Sequence, residues 1–151
     1  MKEFKSTDDI LVFAINQEQI AVEFYTDLAK DARNEEMKNV FLEFAGEEIK
    51  HKQRLTRIRE EGIFTMLKQQ VTDLKIGDYI TDVKPAPDMS YDEALIVAMK
   101  REKSAFKLYS NLAGRAPNDQ LKEIFLSLAM EEARHKLRFE LEYDDHVLKE
   151  N

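Results

Sequence analysis

A chain of 151 residues is long enough to bury a core, and its net charge of −7 lacks the basic footprint that nucleic acid demands. With no cysteine, disulfides, thiolate zinc sites and iron–sulfur clusters are excluded, so any metal must be held by oxygen and imidazole nitrogen. Apolar residues at 43%, charged residues at 35% and only 4 Gly and 3 Pro favour helix over sheet.

Taken in chain order, the first predicted helix runs from about Thr7 to Asp31, with Ser6, Thr7 or Asp8 as its N-cap. Its apolar run Ile10-Leu11-Val12-Phe13-Ala14-Ile15 is too short to span a membrane and follows Asp8-Asp9 rather than a basic segment. The expectation is a cytoplasmic protein with no membrane partner. A break at Ala32-Arg33-Asn34 leads into a second helix from about Glu35 to Glu61, stopped by Gly62. Residues 63–89 hold Gly77, Pro85 and Pro87 and read as a crossover, with a short helix near Phe64–Gln70 and extended chain after it. Ser90-x-x-Glu93 is a capping box for a third helix ending around Gly114, and Pro117 and Asn118 open a fourth that runs to about Val147.

The halves are copies. Shifted by 84 residues, the sequence matches itself at Ser6/Ser90, Leu11/Leu95, Glu18/Glu102, Tyr25/Tyr109, Asn34/Asn118, Phe41/Phe125, Glu48/Glu132, His51/His135 and further positions between them. This is an internal duplication of a helical hairpin, spanning about residues 6–62 and 90–147 of a single domain over residues 1–151. Short loops make each half an antiparallel pair, and the crossover over residues 63–89 sets the third helix antiparallel to the first. The fold class is therefore all-α, a ferritin-like four-helix bundle with one long connection.

Helical periodicity then places ionisable side chains where apolar ones belong. The first helix has the stripe Leu11, Ala14/Ile15, Glu18, Ala21/Val22, Tyr25, Leu28, and the third repeats it as Leu95, Ala98/Met99, Glu102, Ala105/Phe106, Tyr109, Leu112. The second has Met37, Phe41, Phe44, Glu48, His51, Leu55, Ile58, and the fourth Leu121, Phe125, Leu128, Glu132, His135, Phe139. Glu18 lies as far before the first turn as Glu48 lies after it, roughly 21–23 Å at a rise of ~1.5 Å per residue, so the two face each other across the hairpin. The same holds for Glu102 and Glu132. Four carboxylates buried in an apolar bundle are untenable unless positive charge sits among them. Two divalent cations neutralise four glutamates and leave two neutral imidazoles as the remaining ligands. That set suits two iron ions, with manganese or a mixed manganese–iron pair also compatible with oxygen and imidazole donors. The expected roles are Glu48 and Glu132 bridging, Glu18 and Glu102 terminal, and His51 and His135 one to each ion.

Tyr25 and Tyr109 lie seven residues past Glu18 and Glu102 on the same faces. A buried phenol needs a hydrogen-bond partner, and a ligand carboxylate from a neighbouring helix is the expected one. Glu47 and Glu131 are expected to point to solvent or an adjacent helix and are not counted as ligands. Glu23 is expected on the surface, and His146 to be exposed near a fraying C-terminus. The methionines read as filler rather than a soft-metal site.

The pattern Glu…Glu-x-x-His…Glu…Glu-x-x-His, with a tyrosine two turns past each lone glutamate, resembles the rubrerythrin branch of the ferritin-like diiron carboxylate proteins. The resemblance covers nearly the whole chain, and Ala21–Tyr25 and Arg101–Tyr109 look typical of it. It implies iron at Glu18, Glu48, His51, Glu102, Glu132 and His135, reduction of hydrogen peroxide, and a homodimer. Two departures matter. Full-length rubrerythrins carry a Cys-ligated rubredoxin domain, so here the electron donor is expected to be a separate rubredoxin-like or similar protein. Peroxidase-type members have an additional glutamate one turn past the position of Glu102, where this chain has Ala105. The expected function is a diiron oxidoreductase acting on peroxide or dioxygen. The alternative is a ferroxidase that oxidises Fe(II) for storage or detoxification, and a third reading has the metals only tying the helices together.

Overall fold

The computed structural model describes residues 3–80 and 88–150, the last two of these by backbone alone. Its elements are α1 (Thr7–Lys30), α2 (Glu35–Glu61), α3 (Lys68–Asp73), a 3₁₀ turn (Ile76–Asp78), α4 (Tyr91–Gly114) and α5 (Asp119–Glu150). The four long helices are those expected. The duplication extends to their ends. Ser6 accepts a hydrogen bond from the Asp9 amide and Ser90 one from Glu93, both at 3.1 Å. Asn34 accepts one from Met37 and Asn118 one from Leu121, both at 2.9 Å. Each contact satisfies an amide that the first helical turn leaves unpaired. Gly62 closes α2 in the left-handed conformation, φ 63°, where a Cβ would be strained.

Contacts fix the helix directions. Asp8 meets Arg59 and Gln19 meets Lys52, so α1 and α2 run antiparallel. Tyr25 reaches Glu102 while Tyr109 reaches Glu18, so α1 and α4 are antiparallel too. Across α2 and α5, Glu36 meets Arg138, Glu47 meets His135 and Arg54 meets Glu131, again antiparallel. This is the ferritin-like bundle.

The crossover differs in detail from its expectation. The short helix starts at Lys68 rather than Phe64, where the Leu67 amide donates to Gln70 Oε1 at 3.0 Å. Residues 63–67 form no helix, and Phe64 among them is drawn into the core against Phe125, with ring centroids 5.0 Å apart. Tertiary packing overrides local propensity here. Pro85 and Pro87 lie outside the described residues.

Two apolar clusters divide the bundle. One gathers Leu11, Leu55, Leu112 and Phe125 with Val71 and Leu74 of the crossover. The other gathers Phe24, Phe41, Phe44, Leu95 and Phe139. The polar residues of the repeated motif lie in the layer between them.

Beyond the second cluster, Arg33 of the α1–α2 loop grips Glu142 of α5 through two bonds of 3.0 and 2.9 Å. Tyr91 donates to the same carboxylate at 2.9 Å, so one buried glutamate ties both hairpins. Removing one partner of a buried pair strands the other's charge, at about 3–5 kcal/mol when both are fully enclosed. Arg33 is a quarter exposed, which reduces the expected cost of Arg33→Ala to about 2 kcal/mol. Thermal denaturation should then show a Tm lower by about 4–8 °C. Adding Glu142→Gln should recover more than half of that loss; no recovery would mean that the ion pair is not the cause.

His146 is not exposed as expected. Its side chain is only 19% accessible, with Nε2 3.1 Å from Asp92. The ring also meets the Tyr91 ring edge-on at 5.2 Å. The reason is that α5 continues to Glu150 instead of fraying near Val147, which keeps His146 packed against the start of α4.

Candidate metal centre

Each of the helices α1, α2, α4 and α5 brings its share of the repeated motif to mid-bundle. Glu18, Glu48, His51, Glu102, Glu132 and His135 are all at most 2% exposed. His51 Nδ1 lies 3.5 Å from Glu18, 3.2 Å from Glu48 and 3.0 Å from Glu132. His135 Nδ1 lies 3.4 Å from Glu48, 3.6 Å from Glu102 and 3.9 Å from Glu132. Two quartets result, Glu18–Glu48–His51–Glu132 and Glu48–Glu102–Glu132–His135, each with ligand atoms within 4.8 Å of one another. Glu48 and Glu132 belong to both.

The inward-facing atoms are chemically unsatisfied. One carboxylate oxygen each of Glu18, Glu48, Glu102 and Glu132, and Nδ1 of both histidines, are buried with no hydrogen-bond partner. Buried polar atoms are normally paired, and here the orphans cluster with their lone pairs converging. A set of oxygen and imidazole donors without sulfur fits divalent iron or manganese.

Electrostatics within the layer follow from burial and charge. Glu48 and Glu132 are held well above the usual carboxylate range, first by loss of solvation and then by the neighbouring glutamates. Burial opposes charge on His51 and His135, but the carboxylates packed around them, Glu18 and Glu48 at one and Glu102 and Glu48 at the other, outweigh it and raise both to about 10. In the metal-free fold the imidazolium ions thus supply the positive charge that the carboxylates need.

Tyr25 and Tyr109 donate across the hairpins to Glu102 and Glu18 respectively. Burial, and then the facing glutamates, push both phenols well above their ordinary value, so they remain donors. Each tyrosine belongs to a different apolar cluster, and the two grip the layer from opposite sides.

Glu47 and Glu131 do more than the sequence suggested. Both turn to the adjacent helix rather than to solvent. Glu47 Oε2 stands 2.9 Å from His135 Nε2 and is also held by Arg134. Burial works against its ionisation, yet Arg134 and His135 keep its carboxyl below the usual range. Glu131 takes the equivalent place without closing the hydrogen bond: it stands 3.4 Å from His51 Nε2, which has no hydrogen-bond partner, and 3.2 Å from Arg54. A carboxylate on the outer nitrogen fixes the tautomer and leaves Nδ1 free for a metal. The signal was present, since Glu47 and Glu131 are repeat equivalents. Phe44 stacks on the His135 ring at 3.9 Å and further fixes its plane.

The sequence model of the Rubrerythrin family matches residues 9–85 and 93–151. The chain belongs to the rubrerythrin family. Among solved structures it is similar to one described as a ferritin-like diiron-carboxylate protein from Thermotoga maritima. The two share 23% identity with a TM-score of 0.72, over 92% of this chain and 95% of that one. No curated protein matches the sequence.

In this rubrerythrin-family chain the layer opens on one side, between α1 and α4, into a small cavity of about 20 Å³. All four glutamates line it, together with Gln17, Arg101, Ser104 and Ala105. Ala105, three residues past Glu102 on α4, contributes only a methyl group to that wall of the cavity. No helix among the described residues is long and apolar enough to cross a membrane.

Proposed function

We propose that the chain is a non-haem diiron redox protein that reduces hydrogen peroxide, or dioxygen, with electrons from a separate donor. The observation that carries this is the pair of quartets sharing Glu48 and Glu132, whose converging donor atoms have no other partner and face a cavity. Glu48 and Glu132 would bridge two ions, Glu18 and Glu102 would each hold one, and His51 and His135 would each complete one. When bound, a pair of iron ions supplies two one-electron equivalents and Lewis acidity, enough to convert one peroxide and two protons into two waters.

The chain's own residues support that chemistry. Tyr25 and Tyr109 hold Glu102 and Glu18 in place, Glu47 orients the His135 imidazole, and Glu131 stands behind that of His51. The apolar clusters above and below the layer keep out bulk water. The free space inside the cavity is roughly that of a water-sized molecule, so it admits a small oxidant rather than a large organic substrate. Manganese or a mixed manganese–iron pair fits the same donors.

A second reading, a ferroxidase that oxidises Fe(II) for storage or detoxification, is favoured by Ala105, since the additional glutamate of peroxidase-type members is missing. Anaerobic iron loading followed by stopped-flow mixing with peroxide and with dioxygen separates the two. Repeated turnover with two irons retained per chain is the expected result. Release of iron on each oxidation would replace it with the ferroxidase reading.

A further inference from the structure

The duplication breaks at one position that lines the cavity. Gln17 and Arg101 are repeat equivalents, each immediately before its lone glutamate, and both reach the cavity wall. Arg101 is half-buried, and its Nε is enclosed without a hydrogen-bond partner. Among the described residues it makes no ion pair, and its guanidinium lies 5.9 Å over the Phe24 ring. Arg33, Arg54, Arg59, Arg134 and Arg138 each meet a carboxylate instead. The adjacent Glu102 attracts Arg101 without forming an ion pair with it; that carboxylate accepts from Tyr25 and faces His135.

A guanidinium cannot lose its charge and carries five donors, so half-burial with an empty hand is costly. Charge sharpens the point. Two divalent ions cancel the four glutamates, while Glu47 and Glu131 are matched by Arg134 and Arg54. Arg101 is then the surplus: a loaded site carries one positive charge more than its own residues neutralise, on the wall where ligand enters. Gln17 and Ser104 add neutral hydrogen-bonding groups to the same wall, and Ala105 leaves room beside them.

We infer that this cavity is a receptor for a small monoanion held against the Arg101 guanidinium, which in the proposed reaction is hydroperoxide. The inference rests on the dimetal reading for its charge count. Arg101 thereby distinguishes the two pseudo-symmetric faces of the site and selects an anionic over a neutral form of the oxidant.

Azide, a compact monoanion, is the probe. Protein loaded with iron(II), the state to which the charge count applies, is titrated anaerobically with azide by calorimetry, with metal content measured in every sample. Arg101→Gln, which restores the residue found at the equivalent position 17, should weaken azide binding about tenfold or more, the loss of one charge-assisted contact. Arg101→Lys, which keeps the charge, should stay within about threefold of wild type. Should the glutamine variant hold fewer than two irons, Arg101→Met, which keeps the stem against Phe24, is read by the same criterion. In steady-state assays the KM for peroxide should rise with kcat little changed. Equal azide affinity in wild type and the uncharged variant, at two irons per chain, overturns the inference. Because azide binding needs no turnover, weakened azide binding in a protein that fails to reduce peroxide leaves the inference standing and removes the redox reading alone.

Discussion

Stripping metal from the loaded protein at pH 8 should lower its Tm by about 10–20 °C. The size follows from linkage: ligand at about a hundredfold its Kd contributes about 2.7 kcal/mol per site, and each kcal/mol moves the Tm of a chain this size by about 2–4 °C. The sign of the pH dependence follows from the site itself. Glu48 and Glu132 have folded pKa values raised above the ordinary 4.5 by burial and then by the charges of neighbouring glutamates, Glu132 and Glu18 on the first and Glu102 and Glu18 on the second. Their stability contribution is complete below about 4.5 and is lost as pH rises through the raised values. His51 and His135, raised from 6.5 to about 10 by their carboxylate neighbours against the opposing effect of burial, lose theirs between those two values. Both pairs therefore make the metal-free bundle weaker as pH rises. Metal binding displaces the same protons, so loading becomes more favourable in that direction. The loaded-minus-stripped difference should widen with pH, and at pH 5.5 it should be less than half its value at pH 8. Differential scanning calorimetry before and after chelation measures both quantities. A Tm that chelation leaves unmoved at pH 8 removes the metal centre from consideration.

Most of the layer was legible in the sequence because a helix converts spacing into facing. Glu48 and His51 sit three residues apart and must share a face, and equal distances from a turn put Glu18 and Glu48 at one depth. The duplication then supplied the second half, down to the Ser6/Ser90 and Asn34/Asn118 caps. Contacts set by interhelical packing were harder to see. Glu47 lies off the apolar stripe, and only the close approach of α2 to α5 turns it onto His135. Glu142 follows Phe139 by three on the stripe of the fourth helix, but its partners Arg33 and Tyr91 come from elsewhere in the chain and no spacing announces them. Phe64 lies in a non-helical stretch between α2 and α3, since its place opposite Phe125 outweighs a residue's helix propensity of a few tenths of a kcal/mol. Arg101 was visible only as part of a familiar segment; its significance needed the cavity and the missing partner.

Glu131 and Glu132 are neighbours on α5, and replacing them should produce effects different in kind. Glu132 belongs to both quartets, so Glu132→Ala removes a donor from two sites at once and leaves His51 facing Glu18 and Glu48 alone. Anaerobic equilibrium dialysis with Fe(II) should find bound metal falling from two ions per chain to at most one. Glu131 contributes nothing to either quartet; it meets His51 Nε2 from outside while Arg54 holds it. Glu131→Gln should keep two ions per chain and weaken one of them by about 10–100-fold, the usual cost of losing a carboxylate behind a ligand histidine. The equivalent change at Glu47 should weaken the other ion by at least as much, because its contact with His135 is the shorter, 2.9 Å against 3.4 Å. The chain's pseudo-symmetry makes this comparison internal: the two outer carboxylates occupy one position of the repeat and differ only in how tightly packing has drawn them in. Full loss of metal in Glu131→Gln would make it a ligand, and two ions retained in Glu132→Ala would break the bridging assignment.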